Sequence, residues 1–137
     1  MKLKKIMLMT AMAAAIAEGA KEAGAEAELI TAETASVADV QDAKAIALGC
    51  PSMGAEQLEE TIMEPLMEEL DGAISGKTVV LFGSYGWGSG DWMRDWEDRV
   101  SSDGASVWNG EGIIANNAPD DDVLDSCKSA GRDLAGL

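Results

Sequence analysis

The residues with the clearest chemical potential lie in one stretch of the chain, from Leu81 to Trp92. An apolar run ends there and gives way to glycines that surround Ser84, Tyr85 and Trp87. A large aromatic side chain in a glycine-rich loop is suited to lying flat against a planar ligand. Trp87 could equally pack on the surface of its own domain, and spacing alone does not decide between these alternatives.

The residues on either side of this loop predict the elements that hold it. The uninterrupted, β-branched run 78–82 is typical of a strand buried on both faces. Asp91 is predicted to cap a following helix. That helix is expected to bury Trp92, Met93, Trp96 and Val100 and to expose Arg94, Asp95, Glu97, Asp98 and Arg99. Because open α/β sheets bind ligands at the carboxyl ends of their strands, the loop is a candidate binding site.

Strand and helix patterns alternate along the whole chain, which predicts an α/β fold with a parallel sheet covered on both sides. We expect strands at 5–9, 24–30, 43–50 and 77–82, and a fifth strand over 104–115 that is interrupted at 109–111. Helices are expected at 10–23, 37–40, 56–70, 92–100 and from 119 onward. Pro65 is expected near the first turn of a second helical piece within 56–70. The length suits a single domain, 1–137.

The composition excludes several classes of function. The formal net charge is −15, which argues against nucleic acid or a membrane as partner and for basic protein partners. There is no histidine, so catalysis by a Ser-His or Cys-His pair is excluded. Two distant cysteines, Cys50 and Cys127, do not make a zinc site or a redox pair, and we expect no metal.

The first thirty residues allow two interpretations. A basic start followed by an apolar middle is the layout of a signal peptide. The competing interpretation is a short buried strand that runs into an Ala-rich helix. A strand pattern at 24–30 follows that helix at once, without a polar cleavage region, which favours the second interpretation and a cytoplasmic protein. No segment is long and apolar enough to span a bilayer.

Three motifs give the chain a family resemblance. They are residues 48–56 (LGCPSMGAE), the pair Glu64-Pro65, and residues 81–93 (LFGSYGWGSGDWM). From about Thr10 to its end the chain resembles short-chain flavodoxins of anaerobic bacteria. The resemblance implies a flavodoxin-like, three-layer fold, whose five-stranded parallel sheet has the order 2-1-3-4-5. It also implies a monomeric electron carrier, not an enzyme, with FMN as cofactor and basic oxidoreductases as partners.

The resemblance also implies which residues hold FMN. Trp87 would stack on one face of the flavin and Met53 would cover the other. The Gly54-Ala55 peptide would flip and accept a hydrogen bond from N5 of the reduced flavin. The flipped conformation suits glycine, which has no Cβ to clash with the backbone. Glu56 would hold N3, and the second loop, Ser84, Tyr85, Gly86, Trp87 and Gly88, would meet the pyrimidine edge through its amides. The alternatives without a ligand are that Met53 packs in the core and that Glu56 is an acidic residue at the start of a helix.

One part of the family pattern is missing. Flavodoxins have a loop of Ser/Thr, Gly, Thr, Gly, Asn and Thr between the first strand and first helix, and its amides hold the FMN phosphate. Here Met9 is followed directly by Thr10-Ala11-Met12. Thr10 could cap the helix, but losing three or four charge-assisted hydrogen bonds would cost about 5–10 kcal/mol. The FMN affinity is therefore expected to be reduced.

Three functions follow from these observations. The first is an FMN-dependent, low-potential electron carrier, whose acidic surface disfavours further negative charge on the flavin and attracts basic partners. The alternative is a flavodoxin-fold binding or structural module that has lost tight FMN binding. A secreted protein is the third, but removal of residues 1–17 would delete the central strand.

Overall fold

A parallel sheet runs through the centre of the molecule, with helices on both of its faces. The computed structural model describes residues 2–7, 11–31, 35–41, 43, 45–50, 63–85, 90–116 and 119–136. The strands are β1 (Lys2–Met7), β2 (Glu26–Thr31), β3 (Ala45–Gly49), β4 (Thr78–Tyr85), β5 (Ser106–Val107) and β6 (Ile113–Asn116). The helices are α1 (Ala11–Glu22), α2 (Val37–Gln41), α3 (Met63–Leu70), α4 (Asp91–Ser102) and α5 (Asp121–Ala135).

The strand order is β2-β1-β3-β4-β5, and every pairing is parallel. β6 also pairs with β4, farther along it than β5 does. The fifth strand of the predicted 2-1-3-4-5 sheet is therefore present as two short segments on one edge. A 3-10 turn, Trp108–Gly110, separates them, with Asn109 in the left-handed region at φ 59°. This confirms the predicted interruption and places Trp108 in the turn, not in a strand.

The N-terminal residues form a strand and a helix. β1 begins at Lys2 and lies between β2 and β3, so it starts earlier than the predicted 5–9, of which residues 8 and 9 lie outside the described part of the chain. α1 then begins at Ala11 and buries Ile16 and Ala20, as the spacing predicts. Residues 2–7 and 11–22 therefore form a strand and a helix, as the second interpretation of the N-terminal sequence predicts.

Two apolar clusters cover the two faces of the sheet. α2, α3 and α4 pack on one face, where the predicted stripe of Trp92, Met93, Trp96 and Val100 is fully buried. α1 and α5 pack on the other face, around Met12, Ile16, Phe82, Cys127 and Leu134. α1 and α5 approach so closely that a Cβ on Gly131 would overlap the carbonyl oxygen of Ile16. Cys127 is therefore a small core residue, as predicted.

Two details of α4 correct the sequence prediction. Asp91 is not the capping residue but the first residue of the helix, and the residue before it, Gly90, has φ 85° and no side chain with which to cap. Glu97 and Arg99 are half-buried, not exposed. Glu97 accepts a hydrogen bond from the amide of Gly112 at 2.6 Å, which draws it against the edge of the sheet.

The other helices agree with the patterns where they are described. Pro65 lies in the first turn of α3, where its missing N–H costs nothing, and the predicted helical residues 56–62 lie outside the described part of the chain. Asp120 caps α5 by accepting a hydrogen bond from the amide of Val123 at 2.9 Å. Val123 and Leu124 are half-buried against the second cluster. No helix within the described residues is long and apolar enough to cross a membrane.

Candidate ligand-binding site

The candidate site lies at the carboxyl ends of the adjacent strands β3 and β4, where β4 continues to Tyr85 beyond its last pairing with β3 at Phe82. The amide of Cys50, just after β3, donates a hydrogen bond to the carbonyl oxygen of Phe82 in β4 at 3.1 Å. A Cβ on Gly49 would overlap the Phe82 ring, and one on Gly83 would overlap the carbonyl oxygen of Cys50. Only glycine fits this approach. In the sequence, segments 51–62 and 86–89 follow the ends of these two adjacent strands, and both lie outside the described residues.

An aromatic pair supports the start of the second segment. Tyr85, the last residue of β4, is half-buried, and its ring centroid lies 5.8 Å from that of Trp92 with the planes tilted by 53°. The Trp92 ring also lies beside Gly83, where a Cβ would be 3.0 Å from it. Trp92 is 1% exposed and joins the end of β4 to the first turn of α4.

The second segment returns to the fold at Gly90. Its φ of 85° is a conformation that side chains with a Cβ disfavour, and its carbonyl accepts a hydrogen bond from the amide of Met93 at 3.0 Å. A Cβ at Gly90 would lie 3.2 Å from Ile114 of β6. Both ends of the segment, Tyr85 and Gly90, are thus fixed by packed, described residues.

The predicted site residues divide into two groups. Ser84 and Tyr85 are the last two residues of β4 and are half-buried. The sequence prediction, which ended the strand at Phe82 and placed both in the glycine-rich loop, is wrong here, because pairing with β6 extends the strand. Thr10, Met53, Gly54, Ala55, Glu56, Gly86, Trp87 and Gly88 lie outside the described residues. Their assigned contacts therefore stay predictions.

Sequence reasoning missed several residues that shape this region. Trp92 was predicted only as core, yet it also supports Tyr85 and Gly83. The close approach of Gly83 to Cys50 has a weak signal in the sequence, a glycine in an otherwise apolar strand. Gly90 could have been recognised as the turn residue before the helix.

A charged group at the end of α4 was also missed. Arg99 of α4 donates from Nε and Nη2 to the Asp71 carboxylate at 2.7–3.1 Å, and from Nη1 to both Glu64 oxygens at 2.8 Å. Its hydrogen bonds to Asp71, opposed by burial, raise the pKa of Arg99. Burial alone would raise the pKa of Asp71, but hydrogen bonds from Arg99 hold it below its ordinary value. Burial and a hydrogen bond with Asp71 raise the pKa of Asp103 to about 6.

The arrangement suits a flat organic ligand better than a metal ion. Among the described residues, no group of three or more His, Cys, Asp or Glu side chains is placed to hold a metal. Tyr85 and Trp92 form an aromatic pair at the carboxyl end of β4, and aromatic rings pack well against planar ligands. The indole N–H of Trp92 is buried and has no hydrogen-bond acceptor in the described part of the chain. An acceptor placed beside this N–H would therefore form a stabilising hydrogen bond.

The fold and this site define a class of protein, a doubly wound α/β protein with its candidate ligand site at the carboxyl ends of the strands. The flavodoxin family's sequence model matches residues 9–130. The chain is 44% identical to the flavodoxin of Megasphaera elsdenii over 125 residues, 91% of this chain and 88% of that one. It is 40% identical to the flavodoxin of Clostridium beijerinckii over 126 residues, 92% and 90% of the two chains.

The three-dimensional comparison agrees. The solution structure of two-electron reduced Megasphaera elsdenii flavodoxin superposes with a TM-score of 0.89 at 38% identity, covering 98% of this chain and 99% of the other. The chain therefore belongs to the flavodoxin family, a family of FMN-dependent electron-transfer proteins that act with redox partners. Nothing in these comparisons favours the alternative of a module without tight FMN binding.

Proposed function

We propose that this chain, as a single domain over residues 1–137, carries electrons between redox enzymes and turns over no substrate of its own. The observation that carries this proposal is the close approach of the end of β3 to β4, beside the aromatic pair of Tyr85 and Trp92. FMN supplies the redox chemistry, and the protein supplies the fixed surroundings that tune it. The absence of histidine agrees with a carrier that moves no substrate protons.

Segments 51–62 and 86–89 are proposed to hold the flavin ring. In this assignment Met53 and Trp87 cover the two ring faces, and the Gly54-Ala55 peptide and Glu56 meet N5 and N3. Ser84, Tyr85, Gly86 and Gly88 line the pyrimidine edge. Support comes from the described ends of both segments, because Cys50, Tyr85 and Gly90 are all held in position by backbone contacts or packing.

The phosphate end of FMN is proposed to contribute little to binding. In the sequence, residues 8–10 before α1 are Leu, Met and Thr, so the glycine-rich phosphate loop of the family pattern is missing there. Thr10 is the single hydroxyl available to cap α1. The affinity for FMN is therefore expected to come mainly from the ring, and to be lower than a complete phosphate loop would give.

The partners are proposed to be basic oxidoreductases that dock on an acidic face near the site. α4, which begins at the end of the second segment, exposes Asp91, Asp95 and Asp98, within a chain of net charge −15. Opposite charges raise the rate of encounter, and salt screens the effect. Mutual repulsion between such surfaces favours a monomer. We also propose a cytoplasmic location, where Cys50 and Cys127 stay reduced.

A salt series tests the proposed carrier role. The FMN-loaded protein, reduced without oxygen, is mixed with an oxidised basic c-type cytochrome and electron transfer is followed by absorbance. We expect transfer that slows at least tenfold between low salt and about 0.5 M, because the Debye length falls below roughly 5 Å. Transfer with no salt dependence would contradict the acidic docking face, and no transfer would contradict the carrier.

A further inference from the structure

The connection between β5 and β6 contains an asparagine in a conformation that side chains with a Cβ disfavour. Asn109 has φ 59° and ψ 10°, and among the described residues it is the only one other than glycine with positive φ. Gly110 follows it at φ 76°. Both residues are exposed. An Asn-Gly pair therefore lies on the surface at one edge of the sheet.

An asparagine side chain can react with the backbone that follows it, which is one reason why asparagine is a thermolabile residue. The backbone nitrogen of the next residue bonds to the side-chain carbonyl carbon, Cγ. The side-chain nitrogen leaves as ammonia and takes the proton of that backbone amide with it, so that a cyclic imide remains. Water then opens the ring at either carbonyl carbon and gives aspartate or isoaspartate, in which the backbone runs through Cγ. The reaction needs only water.

The turn gives this reaction room. Glycine places no Cβ beside the attacking nitrogen, and a Cβ built on Gly110 would meet nothing within 4 Å. The ψ angle of Asn109 must rotate away from 10° to bring this nitrogen to Cγ. Such a rotation has little to oppose it, because a 3-10 turn has poor hydrogen-bond geometry and β5 before it is only 2 residues long.

The other asparagines of the chain, Asn116 and Asn117, are less well placed for this reaction. Asn116 is held in β6, where it pairs with Tyr85 of β4. The residue after Asn116 is Asn117 and the residue after that is Ala118, and each of these carries a Cβ next to the attacking nitrogen. The sequence and the fold thus favour Asn109.

We propose that Asn109 is a site of spontaneous covalent modification, where its side chain cyclises onto the nitrogen of Gly110 and hydrolyses to aspartate and isoaspartate. The product carries one negative charge more than the −15 of the unmodified chain. The new carboxylate lies two residues from Glu111, whose carboxylate is 3.5 Å from Arg94 of α4. The proposal is independent of the flavin site.

The two products differ in their effect on the fold. Aspartate changes only the charge, because it keeps the backbone of asparagine. Isoaspartate adds one carbon to the backbone between β5 and β6, directly after Trp108, whose indole N–H donates to Asp133 of α5 at 2.9 Å. We expect isoaspartate to weaken this hydrogen bond and to loosen the end of β5.

The test incubates the purified protein at mildly alkaline pH in water enriched in heavy oxygen, beside Asn109→Gly. This variant keeps a residue that adopts positive φ and removes the reacting amide. Ion exchange separates species by charge, and mass spectrometry of proteolytic peptides locates the incorporated oxygen. We expect an acidic species that is absent from Asn109→Gly. Heavy oxygen should enter position 109 about tenfold faster than Asn116 or Asn117, because only Asn109 precedes a residue without Cβ.

Three results would overturn the proposal. The first is an acidic species that accumulates equally in Asn109→Gly. The second is entry of heavy oxygen at the same rate at all three asparagines. The third is an unchanged Asn109 in the folded protein under conditions in which the proteolytic peptide that contains it reacts, since the turn would then prevent the rotation of ψ.

Discussion

Gly83 of β4 lies against the carbonyl oxygen of Cys50, just after the end of β3, with no room for a side chain between them. The hydrogen bond from the Cys50 amide to Phe82, at 3.1 Å, draws the same two strands together. The ring of Trp92 closes the other side of Gly83. This contact fixes the relative position of the two strand ends from which the proposed flavin-binding segments leave.

Replacing Gly83 by alanine should therefore damage both stability and flavin binding. The new methyl group would overlap backbone, which cannot move aside as a flexible side chain can, and it would also press on Trp92. We expect the free energy of unfolding to fall by about 2–4 kcal/mol in a urea titration. Gly72→Ala is the matched control, because a Cβ there meets nothing within 4 Å. Equal stability of the two variants would contradict the close approach.

Asp103 should make the protein less stable as the pH rises through the weakly acidic range. Folding raises the pKa of this carboxyl from 3.8 to about 6, through burial and its contact with Asp71. Its contribution to stability is therefore complete below pH 3.8 and is lost as the pH rises through about 6. Asp103→Asn stays neutral and keeps a donor for Asp71, so it should be more stable than the parent protein at pH 7 by about 1 kcal/mol.

The measurement is thermal or urea unfolding of Asp103→Asn from pH 4 to pH 8. The lowered pKa of Asp71 acts in the opposite sense, and only below the ordinary aspartate range, so it does not interfere in this window. Asp125→Asn, at an exposed position on α5, controls for the loss of one negative charge. An advantage of Asp103→Asn that is the same at every pH would show that its carboxyl does not titrate there.

Both thiols should resist modification until the chain unfolds. Cys50 and Cys127 are fully buried and unpaired with each other, and burial raises the pKa of Cys127 to about 12. The thiolate is the reactive form, so iodoacetamide should label neither cysteine of the native protein at pH 8 and both in urea. Mass spectrometry counts the labels, and rapid native labelling at Cys127 would contradict the packing of α5 on the sheet.

Trp87→Ala should weaken FMN binding about tenfold, because it removes one stacking face from the proposed site. Trp108→Phe is the control, since Trp108 lies in the 3-10 turn and donates to Asp133 at 2.9 Å, away from both segments. Isothermal titration with FMN distinguishes the two variants. Equal FMN affinities of the two variants would show that Trp87 does not contribute to the flavin site.

The fold was predictable because the local patterns agree with one another. The spacing of the buried residues predicts helix α4, and the apolar run followed by glycines predicts strand β4. Because such strands and helices alternate along the chain, a doubly wound sheet is the simplest arrangement. The interruption of the fifth strand was also visible, because Asn109 and Gly110 tolerate positive φ.

Features that depend on three-dimensional contacts were not predictable. The sequence marks Arg99 as one more charge on a helix, and nothing local indicates that Asp71 and Glu64 lie within reach of it. The helix-start error at Asp91 has a similar origin, because the left-handed turn at Gly90 replaces a side-chain cap. For the site, residue types indicated Ser84 and Tyr85 as candidates but placed them in a loop, because neither their pairing with β6 nor the Trp92 ring beside Tyr85 has a local signal.

The measurement that tests the account most directly is a titration of the purified, flavin-free chain with FMN and, separately, with riboflavin, followed by quenching of flavin fluorescence. We expect saturable quenching by both ligands at a ratio of one per chain, with affinities within about tenfold of each other. The reason is that the ring contributes most of the binding and the sequence before α1 lacks the phosphate-binding loop. A submicromolar affinity for FMN with a far weaker affinity for riboflavin would contradict the proposal that the phosphate contributes little to binding. No quenching by either ligand would contradict the proposed flavin site itself.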